Sequence, residues 1–573
     1  MPRVRSSTVR DAHRRFGDAA EAWDEQEHQA SLRGYGFRHG IEHLLHCRAP
    51  RRAKGLLSEF AYLMARLRSE SGSGARGMTL DAERTIQVLS ERERRDFVLW
   101  EDFVRTHVHI LERGDCDWGA EKILLQLAVE HADDSPVTLA AEGWLEAGHC
   151  DWLWLKRARR VAHASPSHCL RVFEGHTGEV MGAQALSDGR ILSWSNSNPL
   201  QVDDNTLRLW DRESGAVLAV LEGHTKGVSG AHELPDGRLM SWSEDHTLRL
   251  WDGEGGASLA TLEDHTGRVN GAHVLSDGRI LSWSEDHTLR LWDGESGRVL
   301  ATLEGHTQSV SGAQVLSDGR ILSWSRGDIL RLWEGESGSA LTTLEGHEAV
   351  VNGAQVLSDG RILSWSGDHT LRLWDGESGT SLTTLEGHEA VVIGAQALSD
   401  GRILSWSGDN TLRLWDGGKG AALATLEGHT KGVWGAQELK GGRILSWSMD
   451  NTLRLWDGER GRALATLDGH GQFVLGAQEL SDGRILSWSR DTVLRLWDGE
   501  RGTALMMLDG HTKKANGAQE LSDGRLLSWS SDTTLRLWDG EGDAMLATLE
   551  GHTQPLWGLR ELSDGRLMSW SRD

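Results

Sequence analysis

Residues 347–387 read HEAVVNGAQVLSDGRILSWSGDHTLRLWDGESGTSLTTLEG. The same pattern starts again at His388, and a spacing of 41 residues links the histidines at 224, 265, 306, 347, 388, 429, 470, 511 and 552. The step from His176 to His224 is seven residues longer, and the extra residues lie in the region 196–203. The chain therefore holds ten copies of one unit, and its fold has to be derived at the level of that unit.

The template unit predicts four β-strands, named a to d in chain order: 351–357, 361–366, 370–375 and 381–385. Between the first two, Ser358-Asp359-Gly360 predicts a hairpin turn in which the glycine supplies a positive φ. Alternation along strand b places 363 and 365 on one face and 362, 364 and 366 on the other. Apolar residues occur on both faces, as blades stacked around a propeller axis require.

A period near 40 residues with Gly-His at the start and Trp-Asp near the end resembles the WD-repeat family. The resemblance implies four-stranded blades, each held by a polar tetrad, which on this unit is His347, Ser364, Asp368 and Trp374. In that tetrad the Trp N–H donates to Ser, Ser bonds to His, and His bonds to Asp. We expect a mainly β fold, an array of about ten blades with an incomplete last one, preceded by an all-α domain.

Three departures from the pattern carry their own expectations. In the unit that begins at His306, Gly327 stands at the tetrad Asp position, so we expect a weakened network there. Asp264 precedes His265 where the other units have Gly, and Glu334 replaces the Asp of Trp-Asp. Trp365 and its equivalents stand where the family often has a small residue, so blade packing is expected to differ from the usual ring.

The number of units and the last unit leave alternatives open. Ten units exceed the usual four to eight blades, which allows one wide ring, a seven-bladed ring with surplus blades, or most of two rings. The tenth unit begins at His552 and stops at Asp573, before strand c. The segment 169–174, CLRVFE, has the pattern of strand d. We expect either a truncated gene product or an array with an open, unpaired edge.

The region before the repeats divides into a poorly ordered N-terminus at 1–30 and an all-α domain at 31–164, followed by the array at 165–573. Apolar spacing predicts a helix pair joined around Pro50, a long helix over 80–112 and helices near 119–132 and 136–146, with a last helix that carries Trp152, Trp154 and Leu155. The stretch 71–77 predicts a linker. It lacks the Lys and the preceding strand of a phosphate-binding loop.

The segments GFRHGIEHLL (36–45) and LLSEFAYLMARL (56–67) resemble the helical region that precedes the propeller in apoptosome-type nucleotide-switch (STAND/NB-ARC) signalling ATPases. The ATPase core of those proteins is absent from this sequence. Switching by a nucleotide would therefore have to come from another chain, and the helical domain is expected to serve as a docking or regulatory module.

Composition and charge disfavour several classes of function. The net charge is -24, and residues 1–165 contribute little of it, with 25 Lys and Arg against 26 Asp and Glu. An acidic array repels a phosphate backbone, so we expect no nucleic-acid partner. The sequence has no apolar run long enough to span a membrane and no signal peptide. We expect a cytoplasmic protein without membrane association.

Cysteine and histidine clusters do not predict a metal site. Four cysteines, at 47, 116, 150 and 169, are too few for a disulfide framework. His39, His43 and His46 share a helical spacing beside Cys47, and His149-Cys150 and His168-Cys169 are neighbours, but none forms the paired ligand spacing of a zinc site. We expect no metal, no cofactor and no catalytic residue, and we identify no small-molecule substrate.

The copies differ from one another at three positions: just after Gly-His, before Gly-Ala in strand a, and before the tetrad Asp. Family geometry implies one face for all three, and that face is the candidate site for a protein or peptide partner. Trp434, Phe473, Leu475 and Trp557 are the strongest candidates, because aromatic and apolar side chains anchor interfaces. The full set is Lys226, Glu244, Arg268, Asn270, Glu285, Gln308, Asn352, Ile393, Lys431, Trp434, Met449, Gln472, Phe473, Leu475, Arg490, Lys513, Lys514 and Trp557.

Two other interpretations of these positions stay open: the large side chains plug a central channel, or the positions vary because nothing constrains them. The sequence as a whole favours a noncatalytic WD-repeat scaffold that mediates protein–protein interactions. The alternative is the ligand-sensing, regulatory part of a nucleotide-switch signalling system whose ATPase lies on another polypeptide. An enzyme is not expected, because every recurring Ser–His pair has a structural role.

Overall fold

The structure is a computed structural model that describes residues 6–21, 23, 30–69, 74–95, 97–111, 118–152, 154, 169–196, 204–542 and 544–573. The chain forms two compact units. One comprises Met1–Glu174 with Glu213–Ala216, and the other comprises Gly175–Arg212 with Val217–Asp573. The first unit is helical and the second is the repeat array.

The described part of the helical unit contains nine α-helices around one apolar core that includes Phe37, Ile41, Tyr62 and Leu63. The helices are α1 (Ser6–Glu21), α2 (Ala30–His46), α3 (Pro50–Leu57), α4 (Phe60–Arg68), α5 (Gly74–Val88), α6 (Glu91–Arg95), α7 (Val98–Leu111), α8 (Ala120–Glu130) and α9 (Pro136–Glu146).

The helical unit differs from the sequence prediction in how the chain is divided. The predicted helix over 80–112 is three helices. Ser90 and Glu93 bond through both the Ser90 N–H and its hydroxyl, which starts a new helix at Glu91. The apolar stripe at 56–67 is broken where Glu59 is extended, with φ -94° and ψ 107°. Helix α1 occupies part of the stretch predicted to be poorly ordered, and α5 begins within the predicted linker.

The predicted last helix is wrong. Residues 151, 152 and 154 have no helical structure, and Leu155 lies outside the described residues. Residues 71–73 of the predicted linker, residues 197–203 of the long first unit, Cys116 and His168 also lie outside the described residues. Helix α9 has the predicted bounds, with Pro136 in its first turn and the Ser135 hydroxyl accepting from the Val137 N–H.

The array consists of ten antiparallel sheets, or blades, numbered one to ten by the tetrad histidines 176 to 552. Strands a are β1 (Glu179–Ala185), β5 (Val228–Glu233), β9 (Val269–Val274), β13 (Val310–Val315), β17 (Val351–Val356), β21 (Val392–Ala397), β25 (Val433–Glu438), β29 (Val474–Glu479), β33 (Ala515–Glu520) and β37 (Leu556–Glu561). Strands b are β2 (Ile191–Asn196), β6 (Leu239–Ser243), β10 (Ile280–Ser284), β14 (Ile321–Ser325), β18 (Ile362–Ser366), β22 (Ile403–Ser407), β26 (Ile444–Ser448), β30 (Ile485–Ser489), β34 (Leu526–Ser530) and β38 (Leu567–Ser571).

The nine complete blades add two outer strands each. Strands c are β3 (Leu207–Trp210), β7 (Leu248–Trp251), β11 (Leu289–Trp292), β15 (Leu330–Trp333), β19 (Leu371–Trp374), β23 (Leu412–Trp415), β27 (Leu453–Trp456), β31 (Leu494–Trp497) and β35 (Leu535–Trp538). Strands d are β4 (Val217–Leu221), β8 (Ser258–Leu262), β12 (Val299–Leu303), β16 (Ala340–Leu344), β20 (Ser381–Leu385), β24 (Ala422–Leu426), β28 (Ala463–Leu467), β32 (Ala504–Leu508) and β36 (Met545–Leu549). The predicted four-stranded blade is confirmed.

A glycine in strand a makes room for the tryptophan in strand b. Gly353 lies directly across from Trp365, and a Cβ on this glycine would come within 2.4 Å of the indole ring. The same pairing occurs in every blade, for example Gly312 with Trp324. The unusual tryptophan therefore packs on the bare backbone of its own blade, which explains the Gly-Ala of strand a.

The ten blades close into one ring. Strand b of each blade lies beside strand a of the next, and β38 lies beside β1 in the same way. Across this junction Arg572 Nε is 3.3 Å from Glu179 Oε2, and Arg212 pairs with Asp564. The expectation of an open array is wrong, because the inner strands suffice to complete the circle.

The tenth blade is a two-stranded sheet in the described chain, so β38 has no hydrogen-bonded strand on its outer side. Residues 169–174, predicted as a strand d, have no strand structure. A strand d pairs with a strand c, and the tenth blade has no described strand c for it to pair with.

Candidate functional site

The tetrad of blade five is a chain of hydrogen bonds through buried side chains. Trp374 Nε1 donates to Ser364 Oγ at 2.9 Å, and Ser364 Oγ lies 2.8 Å from His347 Nε2. Because the hydroxyl already accepts from Trp, it donates to His Nε2, so His347 Nδ1 carries the proton. Nδ1 then donates to Asp368 at 2.7 Å. The structure brings all four predicted tetrad residues together.

Asp368 accepts further hydrogen bonds besides the one from His347. It accepts from the Glu348 N–H at 2.9 Å and from the Thr370 N–H and hydroxyl at 2.8 and 2.7 Å. Burial alone would raise the pKa of Asp368, but these hydrogen bonds and the one from His347 outweigh it and hold the pKa below its usual value. The tetrad thus ties the loop before strand a to the turn before strand c.

Blade four lacks this carboxylate. Trp333 Nε1 and His306 Nε2 still meet Ser323 Oγ, at 2.8 and 2.7 Å. Gly327 stands in place of Asp, and His306 Nδ1 is buried with no partner in the described structure. Burial first and the nearby Arg331 second lower the pKa of His306 to about 4. The weakened network expected for this blade is confirmed.

The other two departures leave the tetrad intact. In the blade that carries Asp264, His265 Nδ1 bonds to Asp286 at 2.7 Å. Glu334 accepts from the Ser337 N–H at 2.6 Å, the same kind of turn bond that Asp375 forms with the Ser378 N–H at 2.7 Å. Both substitutions therefore keep the local bonding of the repeat.

A β-bulge positions one variable residue of every blade. The pairing of strands a and b shifts between Val351 and Gly353, so Asn352 has no residue across from it and its side chain is turned out of the sheet. All ten blades have this bulge. The bulge residues are Met181, Ser229, Asn270, Ser311, Asn352, Ile393, Trp434, Leu475, Asn516 and Trp557.

The three variable positions of a blade lie next to one another. The residue before the tetrad Asp bonds through its N–H to the carbonyl of the residue before strand a, as in Met449 to Gly432 at 3.1 Å and Arg490 to Phe473 at 3.1 Å. The bulge residue follows two positions later. We name the face formed by these d–a and b–c connections the loop face, and the opposite face, formed by the a–b and c–d turns, the turn face.

Blades five to eight carry an apolar sector on the loop face. Val350, Val391, Trp434 and Met449 are exposed, with 47% of Trp434 accessible to solvent. Ile393, Phe473 and Leu475 complete the sector and are half-buried. The Arg490 guanidinium lies over the Phe473 ring, 4.1 Å from its centroid, and supplies a cation at its border. We define the apolar sector by these seven apolar residues.

Elsewhere the loop face is charged or closed by bonds between blades. Arg268 forms an ion pair with Glu244 of the preceding blade at 2.9 Å. The amides of Asn270 and Asn352 donate to Val310 O and Val392 O of the next blades, each at 2.9 Å. These amides hold neighbouring strands a together. Further predicted residues on this face are exposed: Glu285, Lys431, Lys513 and Lys514.

Trp557 is separated from the apolar sector by blade nine. It is exposed, and the Arg572 guanidinium lies over its ring, 4.5 Å from the centroid. Sequence comparison of the copies did not single out Val391 or Arg572 as partner residues. Both occupy the same variable positions as Phe473 and Arg490, so their positions in the repeat were the signal that could have identified them.

Six stretches of the chain match the model of a known family, the WD domain, G-beta repeat: 167–211, 215–252, 256–293, 338–375, 379–416 and 420–457. These stretches are WD repeats, so the second unit is a WD-repeat array. Strands a, b and c of blade four, with its interrupted tetrad, lie between the third and fourth of these stretches. The WD-repeat array is therefore recognisable by sequence as well as by its strand order and tetrads.

Two solved structures are similar to the WD-repeat array. The computationally designed Ika8 protein is 26% identical over 56% of this chain and 98% of its own, with a TM-score of 0.40. The WD40 β-propeller domain of Doa1 is 25% identical over 48% of this chain and 93% of its own, with a TM-score of 0.32. No curated protein matches the chain.

The described residues contain no group of three or more His, Cys, Asp or Glu side chains placed to hold a metal ion. None of their helices is both long and apolar enough to cross a membrane.

Proposed function

We propose that the WD-repeat array is a noncatalytic, cytoplasmic scaffold that binds protein or peptide partners through the apolar sector of its loop face. The observation that carries the proposal is the exposure of Val350, Val391, Trp434 and Met449 on three successive blades. Exposed apolar side chains grouped on one face are typical of binding surfaces. A large aromatic such as Trp434 is the kind of residue that anchors them.

The recurring Ser–His pairs support a structural role and not a catalytic one. Ser364 is fully buried, and its hydroxyl is used by both Trp374 and His347. A nucleophilic serine has to reach a substrate, which this geometry prevents.

Charge and cysteine chemistry support the remaining parts of the proposal. The net charge of -24 disfavours nucleic acid and anionic membrane surfaces. The four cysteines at 47, 116, 150 and 169 are too few and too scattered for a disulfide framework, which suits a reducing compartment.

Comparison of two double variants tests the proposal. W434A/M449A removes two exposed side chains of the apolar sector. L382A/L423A removes two leucines of strands d that are about equally exposed, at 50% and 51%, but lie away from the loop face. Each tagged full-length variant is used for affinity enrichment and quantitative mass spectrometry beside the original protein.

We expect W434A/M449A to lose its main partners by about tenfold or more, because truncating a hot-spot side chain removes over 1 kcal/mol of binding free energy. L382A/L423A should retain them. Equal partner sets in both variants would reject the apolar sector as the binding site.

The alternative function, a regulatory part of a nucleotide-switch system, rests on the resemblance of segments 36–45 and 56–67 and stays a prediction. The same experiment addresses it. Recovery of a P-loop ATPase that remains bound to W434A/M449A would favour the alternative, because such an ATPase would not depend on the apolar sector.

A further inference from the structure

On the turn face, the a–b turn has the same Asp–Arg pattern in nine blades and a different sequence in blade seven. In the nine, the a–b turn holds an Asp two residues before an Arg, and the Asp accepts from both the backbone and the guanidinium of that Arg. Asp400 and Arg402 are typical, with distances of 3.0 and 2.7 Å. Blade seven instead reads Lys440-Gly441-Gly442-Arg443. Arg443 has therefore lost its carboxylate partner.

In four of these nine blades the serine that precedes this Asp also binds a glutamate of the next blade. Ser399 donates from its N–H and hydroxyl to the two carboxylate oxygens of Glu438 in the next blade, at 2.8 and 2.7 Å. In blade seven Lys440 donates its N–H to Glu479 Oε2 at 2.9 Å, but it has no hydroxyl for the second oxygen. Glu479 Oε1 is buried without a hydrogen-bond partner in the described structure.

These changes coincide with a cavity of about 390 Å³ between blades seven and eight. Its lining includes Lys440, Arg443, Glu479, Arg484 and the turn at 498–500. Arg484 is held by Asp482 at 2.6 Å. Arg443 donates to Gly499 O, and among the described residues no carboxylate lies within 4.0 Å of its guanidinium. The cavity thus combines a guanidinium that has no ion pair within 4.0 Å in the described structure with a carboxylate oxygen that has no hydrogen-bond donor.

The remaining lining groups limit the ligand. Lys440 Nζ donates to Ser481 O at 3.0 Å, which holds the ammonium against this wall. Asp498 is occupied by the N–H groups of Glu500 and Arg501, at 2.8 and 2.7 Å. The acidic side chains of Asp498 and Glu500, which flank the Gly499 that Arg443 binds, disfavour a polyanion. A ligand with one compact anionic group and a nearby hydroxyl fits both ends of the site.

We propose that this cavity binds a small polyol phosphate. Its phosphate accepts hydrogen bonds from Arg443 and Lys440. The planar guanidinium of Arg443 can bind two phosphate oxygens at once, and the ammonium of Lys440 supplies a compact positive charge. Its hydroxyl donates to Glu479 Oε1, as a serine hydroxyl donates to the equivalent glutamate in four other blades. The site lies on the turn face and is separate from the apolar sector.

The test is isothermal titration of the full-length protein with glycerol 3-phosphate, inorganic phosphate and glycerol. We expect one site, with glycerol 3-phosphate bound more tightly than inorganic phosphate and no measurable binding of glycerol. K440S/G441D installs the turn of the regular blades, which returns a hydroxyl to Glu479 and a carboxylate to Arg443. It should weaken glycerol 3-phosphate binding by about tenfold or more.

Two further variants keep the test decisive if that turn refolds poorly, since Gly441 has a φ of 82° that an Asp resists. E479Q should reduce the affinity for glycerol 3-phosphate to that for inorganic phosphate. S399K/D400G copies the turn into blade six and should raise the stoichiometry from one to two. Unchanged affinity in K440S/G441D and E479Q, an unchanged stoichiometry in S399K/D400G, or no binding to the original protein, overturns the proposal.

Discussion

Blades four and five are neighbours with nearly the same sequence, and they differ at the centre of the tetrad. Both keep the bond from Trp to Ser and the bond between Ser and His. Blade five adds Asp368, which binds His347 and three donors of the adjoining loops. Blade four has Gly327 there and an unpartnered His306 Nδ1. The Ser–Trp half therefore suffices to form a blade, while the Asp fixes the histidine and the loops around it.

The largest effect should come from making blade five resemble blade four. D368A removes the acceptor of four hydrogen bonds and leaves His347 Nδ1 with only the Thr370 hydroxyl, 3.3 Å away. We expect the local opening free energy of blade five to fall by about 3 kcal/mol, since each lost hydrogen bond is worth about 1 kcal/mol net and the weak bond to Thr370 replaces only part of the loss. Hydrogen–deuterium exchange of peptides from 347–385 measures it.

The matched control is D328A in blade four. Asp328 is exposed and stands one residue beyond the tetrad position. Its removal should change exchange in 306–344 by less than about 0.5 kcal/mol, as is typical of surface substitutions. Similar effects of D368A and D328A would show that the tetrad carboxylate does not hold the blade.

An intermediate effect should appear in the pH dependence of the opening free energy, which should differ between blades four and five. The folded pKa of His306 is about 4 and its ordinary value is 6.5. The opened form therefore binds the proton first, so stability is complete above pH 6.5 and is lost as the pH falls towards 4. We expect blade four to lose about 2 kcal/mol of opening free energy over that range. Exchange corrected for the intrinsic rate at each pH reports it.

H306Q provides the control for this pH dependence, because glutamine does not titrate. The slope for peptides from 306–344 should flatten in H306Q, whatever the variant's absolute stability. A slope that persists would assign the pH dependence to another group. Below pH 4 the tetrad carboxylates begin to contribute, because hydrogen bonds hold their pKa values below the ordinary value, as for Asp368.

Most of this comparison could be predicted from the sequence, because the repeat supplies its own alignment. Three features of blades four and five follow from the repeat: the strands of blade five to within one residue at each end, the positive φ of Gly360 and the missing carboxylate at Gly327. Local spacing and turn chemistry determine these features.

Features that depend on contacts between blades could not be predicted in this way. Ring closure through β38 and β1 depends on how far each blade is rotated from the next, and no residue pattern records that angle. The bulge at Asn352 and its bond to Val392 O likewise need the neighbouring blade. The apolar sector was predicted in part, since Trp434 and Phe473 differ visibly from the other copies. Val391 was not predicted, because a valine differs less from the residues of the other copies than Trp434 or Phe473 does.

The smallest effect should come from restoring the tetrad carboxylate of blade four. In G327D a carboxylate would reach His306 Nδ1 and the Thr307 N–H, and the nearest atom to the new Cβ is Ser325 Oγ at 3.3 Å. Ile329 stands where blade five has Thr370, so the hydroxyl bond stays absent, whereas a backbone N–H at this position can still donate, as the Val493 N–H does to Asp491 in blade eight at 3.0 Å. We expect a gain of about 1 kcal/mol in blade four, about one hydrogen bond's net worth.

G367D, which adds the same charge one residue before the tetrad position of blade five, should give no gain. Adding I329T to G327D should increase the gain in the opening free energy of blade four further and flatten its pH dependence. If G327D leaves exchange in 306–344 unchanged, blade four is held by its neighbours and not by its tetrad. The difference between Gly327 and Asp368 would then have no effect on the stability of the two blades.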